Sequence, residues 1–138
     1  MAFDTVVIGN AGIDTNVYLY GNEIDFSVEA NFSQNIDCIG QAGGYSARGF
    51  ARLGWKTAFI GALGDDYQGR WIKNSFEADG IDTSAVFSDP AGTARSINFM
   101  YPDGRRKNFY DGKSHMEIRA DIEASRNVLE GSRLAVFH

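Results

Sequence analysis

The chain has 138 residues, 43% of them apolar and 22% charged, and a net charge of −5. That is the profile of one soluble globular domain with a core of its own. The acidic balance excludes a nonspecific grip on nucleic acid or on an anionic membrane, since both need a basic face.

In chain order, "FDTVVIG" is a short, β-branched apolar run and predicts a buried strand, with "NAGID" as the turn behind it. "NVYLYG" and "NIDCIGQ" alternate, and "DFSVEANF" is mixed. All three predict short strands with one wet face. Residues 40–44 predict a loop, and residues 45–53 a helix with Ala47, Phe50, Ala51 and Gly54 at helical spacing. "KTAFIGAL" is a second buried strand. Asp65 or Asp66 then caps a helix reaching to about Ala78, whose apolar pairs Tyr67/Trp71 and Ile72/Phe76 are four residues apart. "ADGIDTSAVFSD" predicts a turn and a strand, and "TARSINFMY", "PDG" and "RRKNFYDG" a hairpin. "ADIEASRNVLEG" predicts a helix ending near Gly131, and "SRLAVFH" a last, buried strand. Ending on that strand leaves two readings open: a longer protein cut short, or the last strand of a small domain. Buried runs alternating with helices predict parallel α/β layers. The wet strands need a second small sheet.

Cys38 is the only cysteine, which excludes an internal disulfide and fits a reducing compartment. No apolar run reaches the ~20 residues of a membrane span. "MAFDTVVIGN" lacks the basic and apolar segments of a signal peptide. A cytoplasmic protein is expected.

Among the motifs, "IGNAGID" is not a dinucleotide fingerprint, because Gly9 and Gly12 are spaced G-x-x-G and a strand follows. Asp14 stands just past the carboxyl end of the first strand, where open α/β sheets bind ligands. It serves either neighbouring sugar hydroxyls or an Asx-type turn. The glycines of "GQAGGYS" either admit a ligand or make a tight turn, and no Lys-Ser or Lys-Thr makes them a phosphate loop. "GALGDD" reads as a strand exit, a turn and a helix cap. Arg105, Arg106 and Lys107 in "DGRRK" read as a solvated edge, or as an attractor for a phosphate-bearing ligand. His115, His138 and Cys38 have no companions at metal-ligand spacing. No nucleophile–base set is legible.

In order and spacing, "VVIGNAGID", "AGGYSARGFARLGWKTAFIGALGDDYQG", "ADGIDTS" and "TARSINFMYPDGRRKNFYDG" resemble the ribokinase-like, or pfkB, family of carbohydrate and nucleoside kinases. The resemblance covers the chain but only the N-terminal half of the family's length. It implies an α/β fold: an incomplete Rossmann-like parallel sheet with helices, plus a small β lid. Residues 1–15, 42–93 and 113–138 would form the partial core, and residues 16–41 and 94–112 the lid, through which the family often dimerises. It implies that Asp14 holds hydroxyls of a sugar or nucleoside and that Gly12, Gly40, Gln41, Ala42, Gly43, Gly44 and Tyr45 line the site. Asn98 and Met100 are candidate covers from the lid. With the helix aligned on "ARLG", the chain departs from the family at Tyr45, where asparagine is usual, and at Gln41, where a second glycine is common; a second alignment sets the paired glycines at Gly43 and Gly44 and requires a shorter helix. The catalytic D-T-x-G-A-G-D pattern is absent: Asp-Thr occurs at 4–5, 14–15 and 82–83 without it. ATP and Mg2+ are therefore expected only for a full-length kinase, with the isolated chain inactive and its exposed sheet edge prone to association. The other reading is a non-catalytic binding or lid-dimerisation module.

Overall fold

A computed structural model describes residues 2–115 and 122–138. In order, the elements are β1 (Phe3–Ile8), β2 (Gly12–Leu19), β3 (Ser33–Gly40), α1 (Ala42–Arg52), β4 (Thr57–Gly64), α2 (Tyr67–Ala78), β5 (Asp82–Asp89), β6 (Arg95–Met100), β7 (Arg106–Asp111), α3 (Ile122–Glu130) and β8 (Ser132–Phe137).

The strands form two four-stranded sheets among the described residues. The core sheet, β5-β4-β1-β8, is parallel throughout. A parallel sheet is covered by the helices that connect its strands, so its central strands are apolar on both faces. β4 is buried at all eight positions. One layer packs Val7, Ala47, Phe59, Leu63, Ile72 and Phe76, with the Phe59 and Phe76 rings edge to face at 5.1 Å. The other packs Val6, Ala58, Ile60, Ala85 and Val128. Alternate residues of β1 and β4 thus feed opposite layers, as the strand period requires. The second sheet, β3-β2-β6-β7, mixes antiparallel and parallel pairs and stands on the core as a lid. Ile13 and Ile39, at its base, are buried in the core. No described helix is long and apolar enough to cross a membrane.

Four expectations change. Residues 40–44 are not a loop: Gly40 ends β3, Gln41 stands at the N-cap position without a side-chain capping bond, and α1 begins at Ala42. Tertiary packing explains the early start, because a Cβ on Gly43 would lie 2.7 Å from the Asn10 carbonyl oxygen. Paired glycines here permit close approach of helix to strand rather than a turn. Residues 12–15, expected in the core, open β2 of the lid sheet. "DFSVEANF" is not a strand: the Asn31 side chain accepts from the Asp25 N–H and donates to the Asp25 carbonyl, each at 2.9 Å, and the Asp25 carboxylate accepts from Ser27 N–H at 2.8 Å. Local side-chain bonds of this kind compete with a β ladder. β8 is paired on one side and mostly exposed, with Phe137 71% accessible. The first residues of "ADIEASRNVLEG" lie outside the described residues.

Candidate functional site

The site is built where β2 leaves the core. Ile13 turns inward, so alternation turns Asp14 to the opposite face of the lid sheet. Asp14 is only 8% exposed. One carboxylate oxygen accepts from Gln41 Nε2 at 3.0 Å and the other from the Tyr45 hydroxyl at 3.0 Å. Gln41 Nε2 also reaches Ser96 Oγ at 3.1 Å. The N-terminal turn of α1 therefore fastens Asp14, with β6 as a third wall. Gly40 is required by proximity: a Cβ there would stand 2.0 Å from an Asp14 oxygen.

Tyr45 is 56% exposed, with its hydroxyl on Asp14 and Cys38 Sγ 3.9 Å away. Partial burial, the hydrogen bond to Asp14 and that residue's charge hold the phenol well above its ordinary pKa. It stays a donor throughout the physiological range. Each Asp14 oxygen keeps a further lone-pair direction, so the carboxylate can still accept from ligand hydroxyls.

Residues paired across the sheet share a face. The pairs Asp14–Ser96, Asn16–Asn98, Asn98–Asn108, Ser96–Tyr110 and Met100–Arg106 place all of them on the Asp14 side. Asn98 is 1% exposed. Its amide donates to Asn16 Oδ1 at 3.0 Å, and its oxygen accepts from Asn108 at 2.7 Å and from Arg106. At the junction with the core, the Tyr110 hydroxyl donates to His115 Nδ1, and His115 Nε2 donates to the Ala11 carbonyl at 3.1 Å. The Ala11 carbonyl can only accept, so Nε2 carries hydrogen, and in the neutral ring Nδ1 is then the acceptor for Tyr110. Burial pushes its pKa below the ordinary value, against the opposing pull of the Ala11 carbonyl.

Of the residues singled out from the sequence, Asp14, Gly40, Gln41 and Tyr45 meet directly. Gly12 lies beside the Gln41 side chain and the Ala94 carbonyl. Ala42 is the exposed first residue of α1. Gly43 and Gly44 pack on Asn10 and Ala11. Asn98 is one register step along from Ser96, and Met100 lies a further step away, level with Tyr18. Asn16, Ser96, Asn108 and Tyr110 were not singled out. Asn16 is two residues from Asp14 on β2, whereas Ser96 reaches it only by pairing with a strand distant in the chain, and Asn108 and Tyr110 follow through the pairing of β7 with β6, which leaves no local signal. Asp66 caps α2 by accepting from Gly69 N–H at 2.7 Å, and also accepts from the Thr93 N–H at 2.7 Å and hydroxyl at 2.6 Å. "GALGDD" is thus structural, and it does more than cap: it ties the core to the strand that enters the lid. No group of three or more His, Cys, Asp or Glu able to hold a metal occurs among the described residues.

A family model described as pfkB family carbohydrate kinase matches residues 4–135. Acarbose 7(IV)-phosphotransferase of Actinoplanes sp. is 32% identical over 114 residues, 83% of this chain and 38% of that protein. The 5-dehydro-2-deoxygluconokinase of Geobacillus kaustophilus is 36% identical over 96 residues, 70% of this chain and 27% of the relative. Among solved structures, the microbiome-derived acarbose kinase Mak1 superposes with a TM-score of 0.86 at 28% identity, over 99% of this chain and 46% of its own. Ribokinase of Arabidopsis thaliana, complexed with ribose and ATP, shares the fold with a TM-score of 0.81 at 22% identity, over 99% and 45%. The chain therefore spans less than half the length of these proteins.

Proposed function

The chain belongs to the pfkB family of carbohydrate kinases, and from that membership we propose that it supplies the sugar-holding part of an ATP-dependent sugar kinase. The observation that supports this most is the Asp14 carboxylate, buried at the lid–core junction and oriented by Gln41 and Tyr45. A fixed carboxylate accepts from two neighbouring hydroxyls at once, a pattern that polyols present. It positions the acceptor, leaving one substrate hydroxyl to receive the γ-phosphoryl group. Positioning is a large share of phosphoryl-transfer catalysis. The relatives are named as sugar kinases, which favours a sugar over a nucleoside.

Mg·ATP would be the donor in the complete enzyme, but these residues do not form its cradle. Asp4 accepts from Lys56 N–H, Asp14 is the sugar carboxylate and Asp82 accepts from Ser84 N–H. None of these Asp-Thr pairs opens a helix N-terminus as an anion hole would. Our reading is that the 138 residues alone bind sugar without transferring phosphate. Titration calorimetry with a panel of monosaccharides and polyols tests it. Asp14→Asn should weaken binding about 10- to 100-fold, the worth of a charged hydrogen bond. A panel with no ligand, or an unaffected Asp14→Asn, would overturn the reading.

The lid's other face supports a homodimer within the same reading. Beyond Ile13 and Ile39 it exposes Ile97 at 39% and Phe109 at 53%, with Phe99 edge-on to Phe109. Exposed apolar area of this kind marks contact surfaces. Phe109→Ser should shift the sedimentation coefficient from dimer to monomer; a wild-type monomer at high concentration sinks the pairing.

A further inference from the structure

We propose that Arg106 is an anion-recognising residue of the sugar site, so that the preferred substrate is a sugar acid rather than a neutral sugar. This rests on the sugar-binding reading above and deepens it.

The three cations of "DGRRK" have different surroundings. Arg105 is neutralised by Glu23 and Asp103, each at 2.8 Å, and lies over the Tyr101 ring. Lys107 pairs with Phe99 and so points to the apolar face of the lid. Arg106 alone points to the Asp14 face. Its partner there is a neutral oxygen: Nε and one terminal nitrogen both donate to Asn98 Oδ1, at 3.1 and 2.6 Å. No ion pair joins it to a carboxylate among the described residues. Asn98 is in turn buried and fixed by Asn16 and Asn108. The guanidinium is thus held in one place by a built amide cluster, and no described carboxylate forms an ion pair with it. Both terminal nitrogens of a guanidinium donate in one plane, which matches a carboxylate. In a chain of net charge −5, a positioned cation with no ion pair among the described residues stands out.

The spacing fits one small molecule. Arg106 is anchored at the level of Asn98, two residues along β6 from Ser96, the partner of Asp14. Two residues of strand advance roughly 7 Å, comparable to the length of a hexonate chain. Hydroxyls at one end would donate to Asp14, and a carboxylate at the other would accept from Arg106. Asn98 is a positioning residue in this arrangement.

The test is calorimetry of the protein with five- and six-carbon aldonates, each against the alditol of the same configuration. The pair differs only in carboxylate against hydroxymethyl. Wild type should bind the aldonate at least about tenfold more tightly, with the preference shrinking as salt rises. In Arg106→Gln the ratio should collapse toward one. Asn98→Asp, which sets a carboxylate against the guanidinium, should collapse it while leaving the arginine in place. Equal binding of the two ligand classes by wild type, or a preference that survives Arg106→Gln, overturns the proposal. If both classes bind equally and Asp14→Asn weakens both, the sugar-binding reading stands and the Arg106 assignment alone falls. If neither class binds, both fall.

Discussion

Gln41 has φ 68 and ψ 156, a backbone combination in which glycine is at ease and any side chain costs on the order of 1–3 kcal/mol. Its amide offsets that cost by bonding Asp14 and Ser96 together. The sequence marks Gln41 and Tyr45 as departures from the family. It carries no sign of what they bind, because Ser96 is fifty-five positions away. Tyr45→Phe removes the bond to Asp14 and should destabilise the fold by about 1 kcal/mol in urea titration. The raised phenol pKa gives this bond a pH signature. Folded protein keeps the proton more tightly than the unfolded chain. The contribution is therefore complete below about pH 10, the ordinary value, and is lost as pH rises toward the folded pKa. Ultraviolet titration should show a late tyrosine phase in the wild type that loses the Tyr45 share in the variant and keeps that of Tyr110, whose pKa burial also raises. An unchanged late phase would assign it elsewhere.

Among the elements, α2 was the most legible and α1 the least. Asp66 before an amphipathic run is a local signal, and the helix begins one residue after it. The start of α1 depends on two glycines seated against the end of β1, a contact no local pattern reveals. The long, uniformly apolar β4 was plain, whereas residues 25–32 read as strand only because their Asx bonds are invisible to periodicity. Asp66 also shows why "GALGDD" is so dense. Gly64 N–H donates to Thr93 Oγ1, and a Cβ on Gly69 would lie 2.0 Å from the Gly64 carbonyl oxygen. Strand, helix and the approach to β6 meet within one van der Waals contact. Burial alone would raise the Asp66 pKa, but the Thr93 hydroxyl, the Thr93 and Gly69 N–H groups and nearby Lys113 outweigh it and hold the carboxyl below its ordinary value. The stabilisation is present above about pH 3.8, the ordinary value, and is lost as pH falls through the folded pKa. Asp66→Ala should cost about 2 kcal/mol or more at neutral pH, from the cap and the Thr93 bonds together. Chemical denaturation at pH 7 checks it; a loss below about 0.5 kcal/mol would confine Asp66 to a weak surface cap.

At the scale of the whole molecule, lid and core are joined by titratable chemistry as well as by chain. Tyr110 of β7 reaches the Ala11 carbonyl through His115. Because burial depresses the His115 pKa, the unfolded chain takes up its proton first as pH falls. The stability this bridge contributes is whole above about pH 6.5, the ordinary value, and is lost as pH falls toward the folded pKa. A His115→Gln variant should flatten the decline in thermal midpoint between pH 7 and 5; an identical decline would remove His115 as its source. The division into two sheets was legible from the wet and dry strands. Which lid residues surround Asp14 was not, since that is fixed by register between strands far apart in the chain.

The chain crosses between the sheets at Ala11–Gly12, Gly40–Gln41, Thr93–Ala94 and Asp111–Gly112, and hydrogen bonds pin all four. Both lid connections, residues 20–32 and 101–105, hang at the far end, where Arg105 ties one to the other through the Asn22 carbonyl. Length can therefore change there without disturbing a crossing, and loop entropy grows only slowly with added residues. A fold arranged this way can vary the far end of its second sheet while the crossings that carry it stay fixed.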